Sequence, residues 1–312
     1  MRPGLSVLIV SLAAALAAQG PADHYFSGRR VLLDAHNAYP YQGQWNNRVD
    51  RALATGVPLA VEQDLVWRAP IPVRSGHSIV SHGEPFTEQE PTLRDFFERI
   101  RPIVTGAHAA NLRDQWPLIT LNLDFKDSSP EHFSAIWDLL GDYEEWLTTA
   151  PRVGDARTVQ PLRLGPVLVL TGADPAQRTA FHDTVPVGSR LRLFGAVPAG
   201  SLIATNYLRW SNNPWSVIEP EGQNRAADWT TADEERLRRV VDAAHTAGLW
   251  IRFYTLNGHS TEYGEAMGWS SSYNFGSLEA VRIRWRAAIA AHVDFVATDQ
   301  YEEFSKVRAA ER

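Results

Sequence analysis

Leu59-Ala60-Val61-Glu62-Gln63-Asp64-Leu65-Val66 reads as a buried strand that carries two carboxylates. Glu62 and Asp64 are two residues apart, so on an extended chain both side chains face one way. The same grammar returns downstream, where Leu118 to Phe125 is an apolar run ending in Asp124-Phe125-Lys126. Upstream, Val31 to Asp34 is a shorter run that leads into His36-Asn37. Ile79 to Ser81 forms a short extension that ends at His82. Polar chemistry thus gathers at the C-terminal ends of successive strands.

Working outward, the alternation continues. Strands are expected at Val167 to Leu170, Leu191 to Phe194, Leu202 to Thr205, Leu249 to Leu256 and Val293 to Thr298, which brings the total to eight. Helical periodicity fills most of the gaps: Trp45 to Ala54, a helix opened by Thr92 with Asp95 three residues on, Glu131 to Leu147, Ala176 to Phe181, Thr231 to Ala247 and Ser277 to His292. The Thr231-x-x-Glu234 spacing predicts a capping box, and Gly248 a stop. Eight strand–helix units predict a parallel sheet closed as a single (β/α)8 TIM barrel, which needs about 250 residues. Residues 206–229, rich in Trp and Asn, lack a clean period and are expected to form a long loop over the barrel mouth.

The ends and the composition set further limits. Arg2 followed by the apolar run Leu5 to Ala18, with Ala15-Leu16-Ala17 as a small-x-small site, reads as a signal peptide over residues 1–18. The barrel domain is expected over 25–305, and the protein is expected to be secreted or periplasmic. With no Cys in 312 residues, disulfides, thiolate metal sites and a Cys nucleophile are excluded. A net charge of −6 without a basic block argues against nucleic acid as a partner, and no later apolar run suits a membrane span. Membrane contact is therefore expected to be peripheral at most. Lys126 and Lys306 are the only lysines in a chain that otherwise uses Arg, so a compact cation has been retained beside Asp124.

At one barrel mouth, Glu62, Asp64 and Asp124 would repel one another and suffer desolvation, which a bound cation would relieve. With the amide oxygen of Asn37 they form an all-oxygen set suited to Mg2+ or Ca2+. His36 and His82 would serve as acid and base, with Lys126 stabilising charge on a phosphorane-like transition state. Each residue alone has an ordinary reading: a hydrogen-bonded surface His, a solvated Glu-x-Asp pair, an Asp–Lys salt bridge. His259, just past a strand, is a lesser candidate, and His132 falls on a predicted helix.

These motifs resemble the phospholipase C-like phosphodiesterase superfamily, which includes phosphatidylinositol-specific phospholipases C, glycerophosphodiester phosphodiesterases and sphingomyelinases D. His36-Asn37-Ala38-Tyr39 is similar to the catalytic His and metal-binding Asn of calcium-dependent phospholipases C. Glu62-Gln63-Asp64 resembles the shared metal pair, Ser81-His82-Gly83 the second catalytic His, and Asp124-Phe125-Lys126 the Asp-x-Lys of the sphingomyelinase D group or the Glu-x-Lys of the glycerophosphodiesterases. Tyr254-Thr255-Leu256-Asn257, together with Val293-Asp294-Phe295 and Thr298-Asp299, resembles the last strands of glycerophosphodiesterases. The resemblance spans about Val31 to Asp299 and leaves the branch open. It implies a metal-dependent hydrolase of phospholipids or glycerophosphodiesters, with a cyclic phosphate as intermediate or product. Tyr254, Asn257 and Trp210 are the candidates for touching the substrate. The rival readings are a secreted glycoside hydrolase and a catalytically silent carbohydrate- or ligand-binding barrel. A zinc amidohydrolase is disfavoured because the first strand lacks His-x-His.

Overall fold

The computed structural model describes residues 30–40, 46–87, 89–221 and 228–311; the predicted signal peptide and the start of the first predicted helix lie outside them. Eight parallel strands close a barrel: β1 Leu32–Ala35, β2 Leu59–Arg68, β3 Ile119–Phe125, β4 Val167–Thr171, β5 Phe194–Ala196, β6 Leu208–Pro214, β7 Trp250–Tyr254 and β8 Phe295–Thr298. Each pairs with the next, and β1 closes the ring by pairing with both β8 and β2. An antiparallel strand, His77–Val80, folds back onto the upper end of β2, with Leu65 opposite Val80.

Helices cover the outside: α1 Arg48–Ala54, α2 Leu93–Ala109, α3 Pro130–Asp142, α4 Thr231–Thr246, α5 Leu278–Ala290 and α6 Tyr301–Ala310. Their starts follow capping chemistry. Thr92 and Asp95 form a reciprocal capping box on α2, and Ser129 and Ser277 cap α3 and α5. Gly248 takes φ +73° just beyond α4, a conformation that disfavours a Cβ.

Two apolar layers follow from strand alternation. Outward residues such as Leu33, Val61, Leu121, Val169 and Val296 pack against the helices. Inward residues Leu32, Ala60, Leu168, Phe194, Trp210, Trp250 and Phe295 fill the barrel itself. Further up the strands the inward positions turn polar, with Asp34, Glu62, Asn122 and Arg252 all buried.

Several expectations are corrected. The fifth strand is Phe194–Ala196, while Arg190–Leu191 pairs with Ala150–Pro151 off the barrel. Leu202 to Thr205 is not a strand, and Leu202 and Ile203 are exposed. The sixth strand is Leu208–Pro214, so the front of the Trp-rich stretch lies in the barrel wall rather than over its mouth. The α4 capping box uses Thr230 and Asp233, one residue earlier than expected, because Thr230 is the extended residue whose hydroxyl reaches the Asp233 N–H. The third helix stops at Asp142 rather than Leu147, and a 3-10 turn, Glu144–Trp146, follows. Tyr301–Ala310 adds a helix that the alternation did not predict. Among the described residues no helix is long and apolar enough to cross a membrane.

Candidate functional site

The upper ends of β1, β2, β3 and β8 converge on a cavity of about 420 Å³. His36 and Asn37 follow directly on β1. Asn37 adopts φ +53°, which an Asn side chain tolerates better than most, and its N–H reaches Glu62 Oε2 at 3.3 Å. His36 is buried between two carboxylates. Its Nδ1 lies 2.8 Å from Asp299 Oδ1 and its Nε2 3.3 Å from Glu62 Oε2. Burial opposes the imidazolium, but the charge of Glu62 and the hydrogen bond to Asp299 outweigh it and push the pKa up to about 9.

Glu62 is also 3.2 Å from the Arg252 guanidinium. Burial favours its neutral form, yet the charges of His36 and Arg252 hold its pKa below the usual carboxylate value. Asp64, 1% exposed, lies 2.8 Å from Lys126 Nζ, which in turn lies 2.7 Å from Asp124 Oδ2. Burial and the neighbouring Glu62 charge outweigh Lys126 there and push the Asp64 pKa up to about 7. Burial likewise opposes the Lys126 charge, but Asp64 and Asp124 hold its pKa above the usual value. The Tyr39 hydroxyl bridges Asn37 Oδ1 at 2.6 Å and Asp64 Oδ2 at 2.8 Å. His82 stands at the rim, where partial desolvation and then the Lys126 charge lower its pKa.

Glu62, Asp64 and Asp124 each present a ligand atom, all within 4.8 Å of one another. Two oxygens bound to one ion at about 2.3–2.6 Å lie at most roughly 5 Å apart, so this spacing fits a single divalent cation. The local charge agrees. Asp34, Glu62, Asp64, Asp124 and Asp299 are five acids, set against four cations: His36, Arg48, Lys126 and Arg252. Asn37 lies beside this group, with its amide oxygen directed at Tyr39.

The three candidate substrate residues separate. Asn257 lines the cavity but is buried, and its Oδ1 accepts from Thr298 Oγ1 at 2.9 Å and the Asp299 N–H at 2.7 Å, fixing the end of β8. Tyr254 is half-buried under the Arg252 guanidinium, 5.4 Å from its ring, and is not part of the cavity lining. Trp210 is contradicted as a substrate contact. It is wholly buried in the apolar floor of the barrel, and its Nε1 donates to Thr171 O at 2.9 Å.

Two features escaped the sequence reading. Arg252, whose guanidinium also contacts Asp34, is the ionic centre of the barrel interior. Its signal was a lone charge inside the apolar run Trp250–Tyr254. The opposite cavity wall comes from the segment after β7, through Met267, Trp269 and Tyr273, with Tyr273 6.1 Å from the His36 ring. A long aromatic connection between a strand and a helix was the available cue.

No protein-family model matches the chain, and no curated protein matches its sequence. Solved structures do. A glycerophosphoryl diester phosphodiesterase from Parabacteroides distasonis is 12% identical over 93% of this chain and 91% of that one, with a TM-score of 0.50. An endoglucanase from Thermotoga maritima is 10% identical over 92% and 99%, at 0.42. A 7,8-dihydropteroate synthase from Vibrio fischeri is 12% identical over 90% and 92%, at 0.37. At such identities the likeness is one of fold, and the fold is a single (β/α)8 barrel.

Proposed function

We propose that the chain is a metal-dependent phosphoric diester hydrolase of the phospholipase C-like type, exported after loss of residues 1–18 and acting on phospholipids or glycerophosphodiesters. The observation that carries this reading is the convergence of His36, His82 and Lys126 with Glu62, Asp64 and Asp124 on one cavity. The three carboxylates would hold the cation, with Asn37 beside them, and their all-oxygen chemistry suits Mg2+ or Ca2+. When bound, the ion adds positive charge next to the phosphoryl oxygens.

The chain's own residues do the rest. Asp299 and Glu62 fix the His36 ring. With a phosphate seated between His36 and His82, one imidazole takes the proton of the attacking hydroxyl and the other returns a proton to the leaving oxygen. Lys126 supports the extra charge on phosphorus. A hydroxyl of the substrate itself is the favoured nucleophile, because intramolecular attack removes much of the entropic barrier. A glycoside hydrolase would leave both imidazoles and Lys126 without a task.

The test is a panel of phosphodiesters assayed with and without chelator. Hydrolysis that stops with chelator and returns with Mg2+ or Ca2+ is expected. Hydrolysis indifferent to chelator, or none on any diester, refutes the reading.

A further inference from the structure

Behind the cavity wall, between the barrel and α3, the structure assembles a second polar chain. The Asp127 carboxylate accepts from the Trp67 N–H at 2.8 Å, from the Ser129 N–H at 3.1 Å and from His132 Nδ1 at 3.0 Å. His132 Nε2 lies 2.7 Å from the Ser78 hydroxyl. The His132 ring is fully buried, stacked on Trp67 at 5.6 Å and met edge-on by Phe125 at 4.9 Å. Burial outweighs the Asp127 charge and lowers its pKa, which favours a neutral ring. With Nδ1–H donated to Asp127, Nε2 is left as the acceptor for Ser78.

Each end of this chain is tied to a segment that carries the candidate chemistry. Trp67 lies three residues beyond Asp64 on β2, and Asp127 directly follows Lys126. Ser78 lies on the antiparallel strand four residues before His82. That strand is an edge, held to the barrel by its short ladder to Leu65–Arg68 and by the bond from the Ser81 N–H to Asp64 O, and to the loop before α2 by the bond from the Val80 N–H to Pro91 O. Trp67 and Ser78 form a non-hydrogen-bonded pair of this ladder, so the Trp67 N–H points away from the edge strand and is taken up by Asp127. The Ser78–His132 bond ties the edge strand to α3 at that same point.

We propose that Ser78, His132 and Asp127 form a positioning relay that fixes the strand leading into His82 relative to Asp64, Asp124 and Lys126. The same residue types in the same order serve nucleophilic catalysis in other proteins. Here Ser78 lies opposite Trp67 on the face of the ladder turned to α3, and it is not part of the cavity lining. The relay rests on the reading of the cavity as a phosphodiesterase site only for its effect on turnover.

The test compares Ser78→Ala, Ser78→Thr and His132→Gln in the full chain. Two readouts apply: the ring resonances of His82, with those of His245 as an internal control, and turnover of 2-hydroxypropyl p-nitrophenyl phosphate, a diester with a neighbouring hydroxyl, with Mg2+. The relay predicts that Ser78→Ala displaces the His82 signals and leaves those of His245 in place. It predicts a roughly tenfold fall in kcat with KM within about twofold, since small misplacements of catalytic groups are costly. Ser78→Thr, which keeps the hydroxyl, should restore both. An unmoved His82 signal in folded Ser78→Ala overturns the relay even if no diester is turned over; absent turnover in the wild type counts against the functional reading instead. Covalent labelling of Ser78 by a fluorophosphonate would also overturn it, by showing a nucleophilic centre.

Discussion

Replacing Arg252 by Met tests the ionic frame beneath the cavity. Arg252 is 2% exposed and contacts Asp34 and Glu62, which are 1% and 5% exposed. Removing one partner of a buried ion pair costs about 3–5 kcal/mol, because the other charge stays buried and uncompensated. The loss falls mainly on Asp34, since Glu62 keeps His36 at 3.3 Å. For a domain of this size the loss corresponds to a fall in Tm of roughly 6–20 °C. The pH dependence has a definite sign. Burial already raises the Asp34 pKa, even though Arg252 opposes it, and loss of the guanidinium raises it further. A carboxyl with a raised folded-state pKa stays protonated in the native state over a range where the unfolded chain has ionised. Its penalty therefore grows as pH rises from the unfolded value to the folded one. The deficit of Arg252→Met should be largest near pH 7 and should shrink towards pH 4. Asp34→Leu combined with Arg252→Met should recover most of the loss, as coupled neighbours do. Thermal and urea unfolding followed by far-UV circular dichroism, with chelator present so that no cation compensates, measures all of this. A loss below about 1 kcal/mol in Arg252→Met, or no recovery in the double variant, refutes the reasoning.

Other outcomes follow from the same geometry. His36→Ala and His82→Ala should each lower kcat by about 10²-fold or more, and unchanged turnover in His82→Ala would remove the proposed acid–base pair. Calorimetric titration with Mg2+ or Ca2+ should show one site that weakens as pH falls below the Asp64 pKa of about 7, because proton and ion compete for the carboxylate; Asp64→Asn should abolish that pH dependence and most of the binding. Lys126→Met should reduce kcat more than substrate affinity, since its charge matters most in the transition state. Phosphorus NMR should show an early cyclic phosphate from a diester with a neighbouring hydroxyl and little turnover of its deoxy analogue; equal rates would point to direct attack by water.

What could be read from the sequence, and what could not, has one physical cause. Leu59–Val66 and Leu118–Phe125 declared themselves because their outward residues are apolar and their polar inward residues come late, at the mouth. Leu208–Pro214 hid because its polar residues begin early: Arg209 is buried against Gln160 O and Asn206, and Asn212 accepts from Arg252 at 3.0 Å. A strand that faces a polar interior on one side and carries a buried Arg on the other has the composition of a loop. Leu202–Thr205 misled in the opposite direction, since exposed Leu202 and Ile203 look like core to any reading that counts apolar residues. The catalytic candidates were legible as strand-end residues because spacing on one strand settles which way they face. Arg252 was not, because its meaning lies in Asp34 on one strand and Glu62 on another, pairings that exist only once the barrel closes. Closure brings ligand atoms of Glu62, Asp64 and Asp124 within 4.8 Å of one another, and that proximity argues for a metal more strongly than any single motif does. A barrel that needed these residues for stability alone could have been filled with apolar side chains at equal or lower free energy. Keeping Glu62 and Asp64 buried beside the more exposed Asp124 suits a site whose further positive charge arrives with its ion.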